Sequence, residues 1–409
     1  MKCLLFVMSL FLMCGTLHAE GIEFDTQSSW EQIKQRAKEE NKYILMDCQT
    51  TWCGWCRKME ADVFPDESLG AYVNEHFISV SVQFDKTKSD NDYVKSWYSD
   101  AEAIQKNINI PGFPTILIYS PEGEIVHKIV GYQPADEFSS NLQKSLQPDN
   151  QFYPLLRKFQ AGYRDSLFLK NFIGVAKGAD EPSWAHNAFE QYYTLVKDPF
   201  KMEDLNLIIE NTTSVHDSTY NFLYSNLSRV EQVLGKEVAN NSMGMIIYRE
   251  IAKYRQQSPD LSLDSMGTVY KKKYPKVDFD NKLLYLKIGD AIENKNVENI
   301  QNFITKYVES QYEQMSNIQL NYYAFVILEN SEDKAYLNKA LTWSKKTVSA
   351  PNEQSWEYLD TYANLLYKLG AQSEALKWEQ IALDLCKDEE MKKDLLETLT
   401  KMKNGEKTW

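Results

Sequence analysis

Tyr43-Ile44-Leu45-Met46-Asp47-Cys48 leads into Trp52-Cys53-Gly54-Trp55-Cys56, and Arg57-Lys58-Met59-Glu60 leads out of it. The first segment is a short apolar run of strand length. The last is helix-forming, with no breaker before Pro65. A Cys-x-x-Cys pair between a strand and a helix places its first sulfur where a helix begins. Unpaired backbone N–H groups and the positive end of the helix dipole point there. A thiolate at that point is stabilised and becomes nucleophilic near neutral pH. The second cysteine, one turn later, can attack the mixed disulfide that forms first. The expectation is therefore a redox dithiol with Cys53 attacking and Cys56 resolving.

Other uses of such a pair fit less well. A structural zinc site takes about four ligands. The remaining cysteines are Cys3, Cys14, Cys48 and Cys386, and no second close Cys/His pair accompanies them. Attachment of a c-type haem requires histidine after the second cysteine, where Arg57 stands. An inert structural disulfide would not require strand, motif and helix to agree. No metal and no cofactor is expected.

The stretch from about Ile22 to Leu146 resembles the thioredoxin superfamily. Within it, the likeness is to reductase domains typified by the C-terminal domain of membrane thiol:disulfide interchange proteins. Asp47, six residues before Cys53, matches the family's buried acid. Trp52 precedes the motif as the family's tryptophan does, and Val63-Phe64-Pro65-Asp66 follows the active-site helix. Ile110-Pro111-Gly112-Phe113-Pro114-Thr115 resembles the loop that carries a cis-proline, here Pro114. Pro121-Glu122-Gly123 resembles the turn of the closing hairpin, with Gly131 after the last strand.

The resemblance implies a central mixed sheet flanked by helices. It implies Cys53, Cys56 and Asp47 as catalytic residues, and Trp52, Trp55, Phe113 and Pro114 as the substrate-binding surface. A cis X–Pro bond would expose the Phe113 backbone for strand-like pairing with a substrate peptide. A buried Asp47 would have a raised pKa and could move a proton during exchange.

Three residues depart from the pattern. Trp55 stands where proline is usual between the cysteines. Ser81 stands where a lysine often faces the buried acid, which weakens the expectation of a tuned Asp47. Cys48 stands where an aromatic is common, and it is read as a core thiol or, alternatively, as a third redox cysteine. Lys86 to Tyr98 reads as an inserted polar loop or short helix.

With 409 residues the chain exceeds one ordinary domain. Met1 to Ala19 reads as a secretory signal: Lys2, an apolar core from Leu4 to Met13, then Leu17-His18-Ala19 as the cleavage site. That apolar run is shorter than the about 20 residues that span a bilayer. The expected location is thus periplasmic or secreted, with lipid anchoring through Cys14 as the alternative. The formal charge is −13, and no basic patch is read along the chain, which argues against nucleic-acid binding.

In the thioredoxin-like domain, 20–148, a leading helix is expected at Trp30–Glu39. Strands are expected at Tyr43–Cys48, Phe77–Phe84, Thr115–Tyr119 and Glu124–Val130. Helices are expected at Cys53–Val63, Asp66–Glu75, Ala101–Lys106 and Ala135–Leu146. Gln147-Pro148-Asp149-Asn150 marks the expected boundary.

Beyond it, residues 149–409 show helical periodicity and few strand signals. Ala340-Leu341-Thr342-Trp343 matches Ala375-Leu376-Lys377-Trp378, close to the 34-residue period of tetratricopeptide helix pairs. Residues 337–385 resemble such an array. The whole reads as a disulfide oxidoreductase acting on protein or peptide disulfides, reductase direction favoured. Its partners would be a membrane thiol electron donor and a protein held by the helical half. The alternative is a helical binding adaptor carrying a thioredoxin-like scaffold.

Overall fold

The computed structural model describes residues 21–349 and 355–409. The expected signal segment, Met1 to Ala19 with Cys3 and Cys14, lies outside the described residues. The chain divides into two compact units, Met1–Pro199 and Phe200–Trp409.

In the first unit the elements run β1 (Phe24–Asp25), α1 (Trp30–Glu40), β2 (Tyr43–Gln49), α2 (Gly54–Asp62), α3 (Glu67–His76), β3 (Phe77–Gln83), α4 (Asp92–Ser96), α5 (Tyr98–Asn107), β4 (Thr115–Tyr119), β5 (Ile125–Val130) and α6 (Ala135–Ser145). The sheet order is β1-β3-β2-β4-β5. Strands β1, β3 and β2 are parallel; β4 runs antiparallel to β2, and β5 to β4. This is the mixed sheet expected, with β1 as an edge strand too short to read from sequence. The inserted stretch after β3 folds mostly as loop, with α4 as its short helix.

Alternation along β2 builds two cores. Ile44, Met46 and Cys48 face Ile33, Ala37 and Ile104 on one side of the sheet. Leu45 faces Met59, Val73, Phe138 and Leu142 on the other. Asp47 shares the Leu45 face, because side chains two apart in a strand point the same way. Ser29 and Gln32 close a capping box at the start of α1, and Asn41 ends that helix in the left-handed region. Gly123 (φ +80°) makes the β4–β5 turn, and its N–H donates to Ser120 O at 2.9 Å.

The expected boundary after residue 148 is a single 3-10 turn, Pro148–Asn150. Helices α7 (Phe152–Gln160), α8 (Ser166–Gly178) and α9 (Pro182–Leu195) belong to the same unit as the sheet. The fully buried Lys128 of β5 explains why. Its ammonium donates to Glu181 Oε1 at 2.6 Å and to Asn109 O at 2.8 Å, and His127 Nδ1 accepts the Phe152 N–H at 3.3 Å. A buried charge needs such partners. Here the partner comes from the α8–α9 connection, so the helices after the turn are fastened to the last strand.

The second unit is helical throughout its described residues. It runs α10 (Met202–Asn211), α11 (Ser218–Ser225), α12 (Leu227–Leu234), α13 (Lys236–Gln257), α14 (Leu263–Lys273), α15 (Asp280–Glu293), α16 (Val297–Gln311), α17 (Asn317–Asn330), α18 (Lys334–Val348), α19 (Trp356–Lys368), α20 (Gln372–Leu385) and α21 (Glu389–Asn404). Short connections make α17–α18 and α19–α20 successive hairpins. Ala340 and Ala375, both fully buried, lie on the second helix of each. The repeat read in the sequence thus falls on equivalent packing positions of a tetratricopeptide-like array. No helix among the described residues is long and apolar enough to cross a membrane.

Candidate active site

Cys53 is the N-cap of α2. Its Sγ accepts the Cys56 N–H at 3.0 Å, and its own N–H donates to Thr50 O at 3.1 Å. Cys53 and Cys56 form a disulfide. The approach loop is held from two sides. Asp85, just past β3, accepts the Thr51 N–H at 3.0 Å and the Thr51 hydroxyl, and Arg57 Nη1 donates to Thr51 O at 3.1 Å. Asp85 was not singled out from sequence; it lies outside the motif and acts only through the fold.

Both cysteines are 3% exposed, whereas Trp52 and Trp55 are 68% and 59% exposed. Each tryptophan leans on an aromatic from another segment. Trp52 meets Phe113 edge-on at 5.9 Å between ring centroids, and Phe113 meets Phe84 at 5.8 Å. Trp55 lies 5.4 Å from Tyr132, and the Lys58 ammonium sits over both of those rings. The disulfide is therefore flanked by two aromatic pairs. Tyr132, Phe84 and Lys58 are members that sequence reading missed; Tyr132 carried a signal in following Gly131.

The Phe113–Pro114 bond is cis and Pro114 is buried. Gly131 N–H donates to Pro114 O at 2.8 Å, and Thr115 Oγ1 to Gly112 O at 2.7 Å. The Phe113 N–H and C=O make no hydrogen bond among the described residues. A backbone left open in this way can pair with an incoming strand.

Asp47 is buried, and burial pushes its pKa up to about 7. The Ser81 hydroxyl donates to Asp47 Oδ2 at 2.8 Å and works against that rise, while the charge of Glu60 adds to it. Asp47 Oδ1 has no hydrogen-bond partner. The structure corrects the inference drawn from Ser81: absence of a lysine there leaves Asp47 with a raised pKa, and the serine is its hydrogen-bond donor. Glu60, one turn after Cys56 on α2, was a missed contributor. Asp47, Glu60 and Ser81 line one cavity of about 420 Å³ together with Phe24, Phe64 and Pro65.

Cys48 points into the other core. Its thiol is buried and its pKa is pushed well up by burial and by the Asp47 charge. A thiol of that kind is inert, and the core reading of Cys48 holds over the redox one.

A thioredoxin-like domain family matches residues 30–146. Thioredoxin H4 of Arabidopsis thaliana is 31% identical over 111 residues, which are 27% of this chain and 78% of that protein. The chain belongs to the thioredoxin-like family. Its thioredoxin-like domain is also 25% identical over 123 residues to the thiol:disulfide interchange protein DsbD of Campylobacter jejuni, covering 30% of this chain. The chain spans about a fifth of the length of that curated relative, 20%. The crystal structure of yeast Tom70 aligns with 78% of this chain and 76% of its own, at 11% identity and a TM-score of 0.30. The thioredoxin-like assignment and the Cys53–Cys56 pair together put the domain among disulfide oxidoreductases in general terms.

Proposed function

We propose that this chain is a periplasmic or secreted thiol:disulfide oxidoreductase that reduces disulfides in proteins. The observation that carries the reading is the Cys53–Cys56 pair at the start of α2, with Cys53 as N-cap. The reducing direction takes its support from the likeness to a thiol:disulfide interchange protein, and the location from the reading of Met1 to Ala19.

In the forward cycle the Cys53 thiolate attacks one sulfur of a substrate disulfide. A Cys53–substrate disulfide forms and the other substrate sulfur leaves as a thiolate. The Cys56 thiol then loses its proton to Asp47, whose pKa near 7 suits both directions of transfer. The Cys56 thiolate attacks Cys53 Sγ and releases the second substrate thiolate. Two electrons have passed to the substrate, and the enzyme holds the disulfide seen in the structure. A membrane thiol electron donor returns those electrons. Trp52, Trp55, Phe113 and Pro114 bind the substrate chain, and the helical unit holds a protein partner.

Two measurements test this. The reduction potential of the Cys53–Cys56 couple is expected near the thioredoxin value of about −270 mV; a value near about −120 mV would reverse the direction. Reduced Cys56→Ser protein is expected to accumulate mixed disulfides through Cys53 with envelope proteins. A Cys53→Ser/Cys56→Ser chain should capture none, and equal capture by both would sink the mechanism.

A further inference from the structure

The acidity of the whole chain conceals one exception to the absence of basic patches. Lys271-Lys272-Lys273-Tyr274-Pro275-Lys276 places four lysines in six residues at the end of α14 and the turn after it. This run borders a cavity of about 930 Å³ in the helical unit. Gly244 of α13 makes the cavity possible. A Cβ there would meet Asp278 O at 2.9 Å, so only glycine lets the α14–α15 connection lie against that helix. Tyr274, Val277 and Phe279 are buried beneath it.

Lys236, at the start of α13, and Lys282, on α15, also line the cavity. The lining acids are Glu237, Asp278 and Asp280, and Asp280 is already paired with Lys271 at 2.5 Å. Lysines therefore outnumber acids around this one opening. Lys282 is the informative member. It is half-buried, and its ammonium donates to Asn241 Oδ1 at 2.6 Å. It has no carboxylate within ion-pair distance among the described residues. Burial lowers its pKa, and the more distant Asp278 charge only partly offsets that. An ammonium held this way has lost hydration without gaining a counter-charge, and an arriving carboxylate would supply a charge-assisted hydrogen bond.

The other polar lining is amide: Asn240, Asn241, Asn281 and Gln311. Side-chain amides both donate and accept, which suits the alternating N–H and C=O groups of a peptide backbone. A cavity of this volume falls in the range of ligand sites. The lysines ring a concavity and its apolar side chains lie buried under it, so nothing projects as a membrane-inserting face would.

We propose that this cleft binds an acidic polypeptide segment, with ligand carboxylates seated on Lys282 and Lys276 and its backbone on the amides. The site is independent of the redox reading: a Cys53→Ser/Cys56→Ser chain would bind the same segment.

The test uses the full chain and a fluorescent octapeptide of alternating glutamate and alanine, with its glutamine counterpart as control. Anisotropy should show saturable binding of the acidic peptide, weakened by salt, and binding of the glutamine peptide about tenfold weaker or less. Lys276→Glu combined with Lys282→Gln should cost about tenfold in affinity. Lys377→Glu, an exposed charge change on α20, should cost nothing, and circular dichroism should show all variants folded. Equal binding of both peptides, no binding, or a double variant that binds like the parent would overturn the proposal. So would anionic vesicles or short DNA that bind with the same sensitivity to the double variant while the peptide does not.

Discussion

Asp47 and Glu379 are both carboxyls whose pKa is raised by burial, one on the strand that leads to the disulfide and one on α20 of the helical unit. Their surroundings differ. Asp47 lines a cavity, takes a hydrogen bond from Ser81 and shares its face of the sheet with the helix that bears the cysteines. Glu379 is fully buried, and neither of its oxygens meets a donor. Its neighbour is Asp360 of α19, which accepts from Asn364 Nδ2 at 2.8 Å. Burial and then the nearby Asp360 charge push the Glu379 carboxyl upward. A raised pKa alone therefore does not mark chemistry. It does so at Asp47, where a reacting pair begins the adjoining helix and a cavity admits protons.

Replacing Asp47 by asparagine should produce the largest difference between the two sites. Turnover of a protein disulfide is expected to fall about 10²-fold at neutral pH, and the limb of the pH–rate profile near 7 should disappear. Stability should move the other way. The folded pKa of Asp47 lies above its ordinary value of 3.8. Its contribution is thus whole below about 4 and is lost as pH rises toward about 7. At pH 8 the variant should be more stable, by up to about 4 kcal/mol. Thermal unfolding and steady-state rates on the same protein check both signs. Unchanged turnover would make Asp47 as silent as Glu379.

Glu379→Gln should leave turnover alone and flatten the dependence of unfolding on pH. Burial raises both Glu379 and Asp360, so the helical unit is most stable with both protonated, below their ordinary values of 4.5 and 3.8. It weakens as these protons are lost at higher pH. The variant should gain about 1–3 kcal/mol over the parent at alkaline pH and little in acid, read by chemical denaturation. A fall in turnover on this substitution would break the comparison outright.

How far the sequence disclosed this arrangement depends on the range of each interaction. Cys53, Cys56 and the cis Pro114 sit in local motifs whose neighbours in sequence are their neighbours in space, and these were legible. The strands β2 and β4 were too, because their apolar runs are short and bounded. Lys128 and Glu181 were not, since their ion pair joins residues 53 apart. For the same reason the helices fastened to β5 could not be assigned to the sheet's unit from the polar break at 148. Glu60 and Ser81 also act across the fold: each was visible as a residue, and only the sheet face and helix register turn them toward Asp47. Serine in place of the expected lysine suggested an untuned acid. The serine lowers the Asp47 pKa less than burial raises it, and that balance requires the burial to be known.

The smallest expected effects are also the sharpest, because they have opposite signs at one carboxyl. Ser81→Ala removes a donor that favours ionised Asp47, so the acid limb should move up by about one pH unit or less. Glu60→Gln removes a nearby negative charge, so the limb should move down by a similar amount. Titration of the Asp47 carboxyl carbon by NMR measures both shifts without turnover. General loosening of the site would move the two variants the same way. Movement in opposite directions requires that Asp47 itself titrate near neutrality, with the hydroxyl and the second carboxylate acting on it from either side.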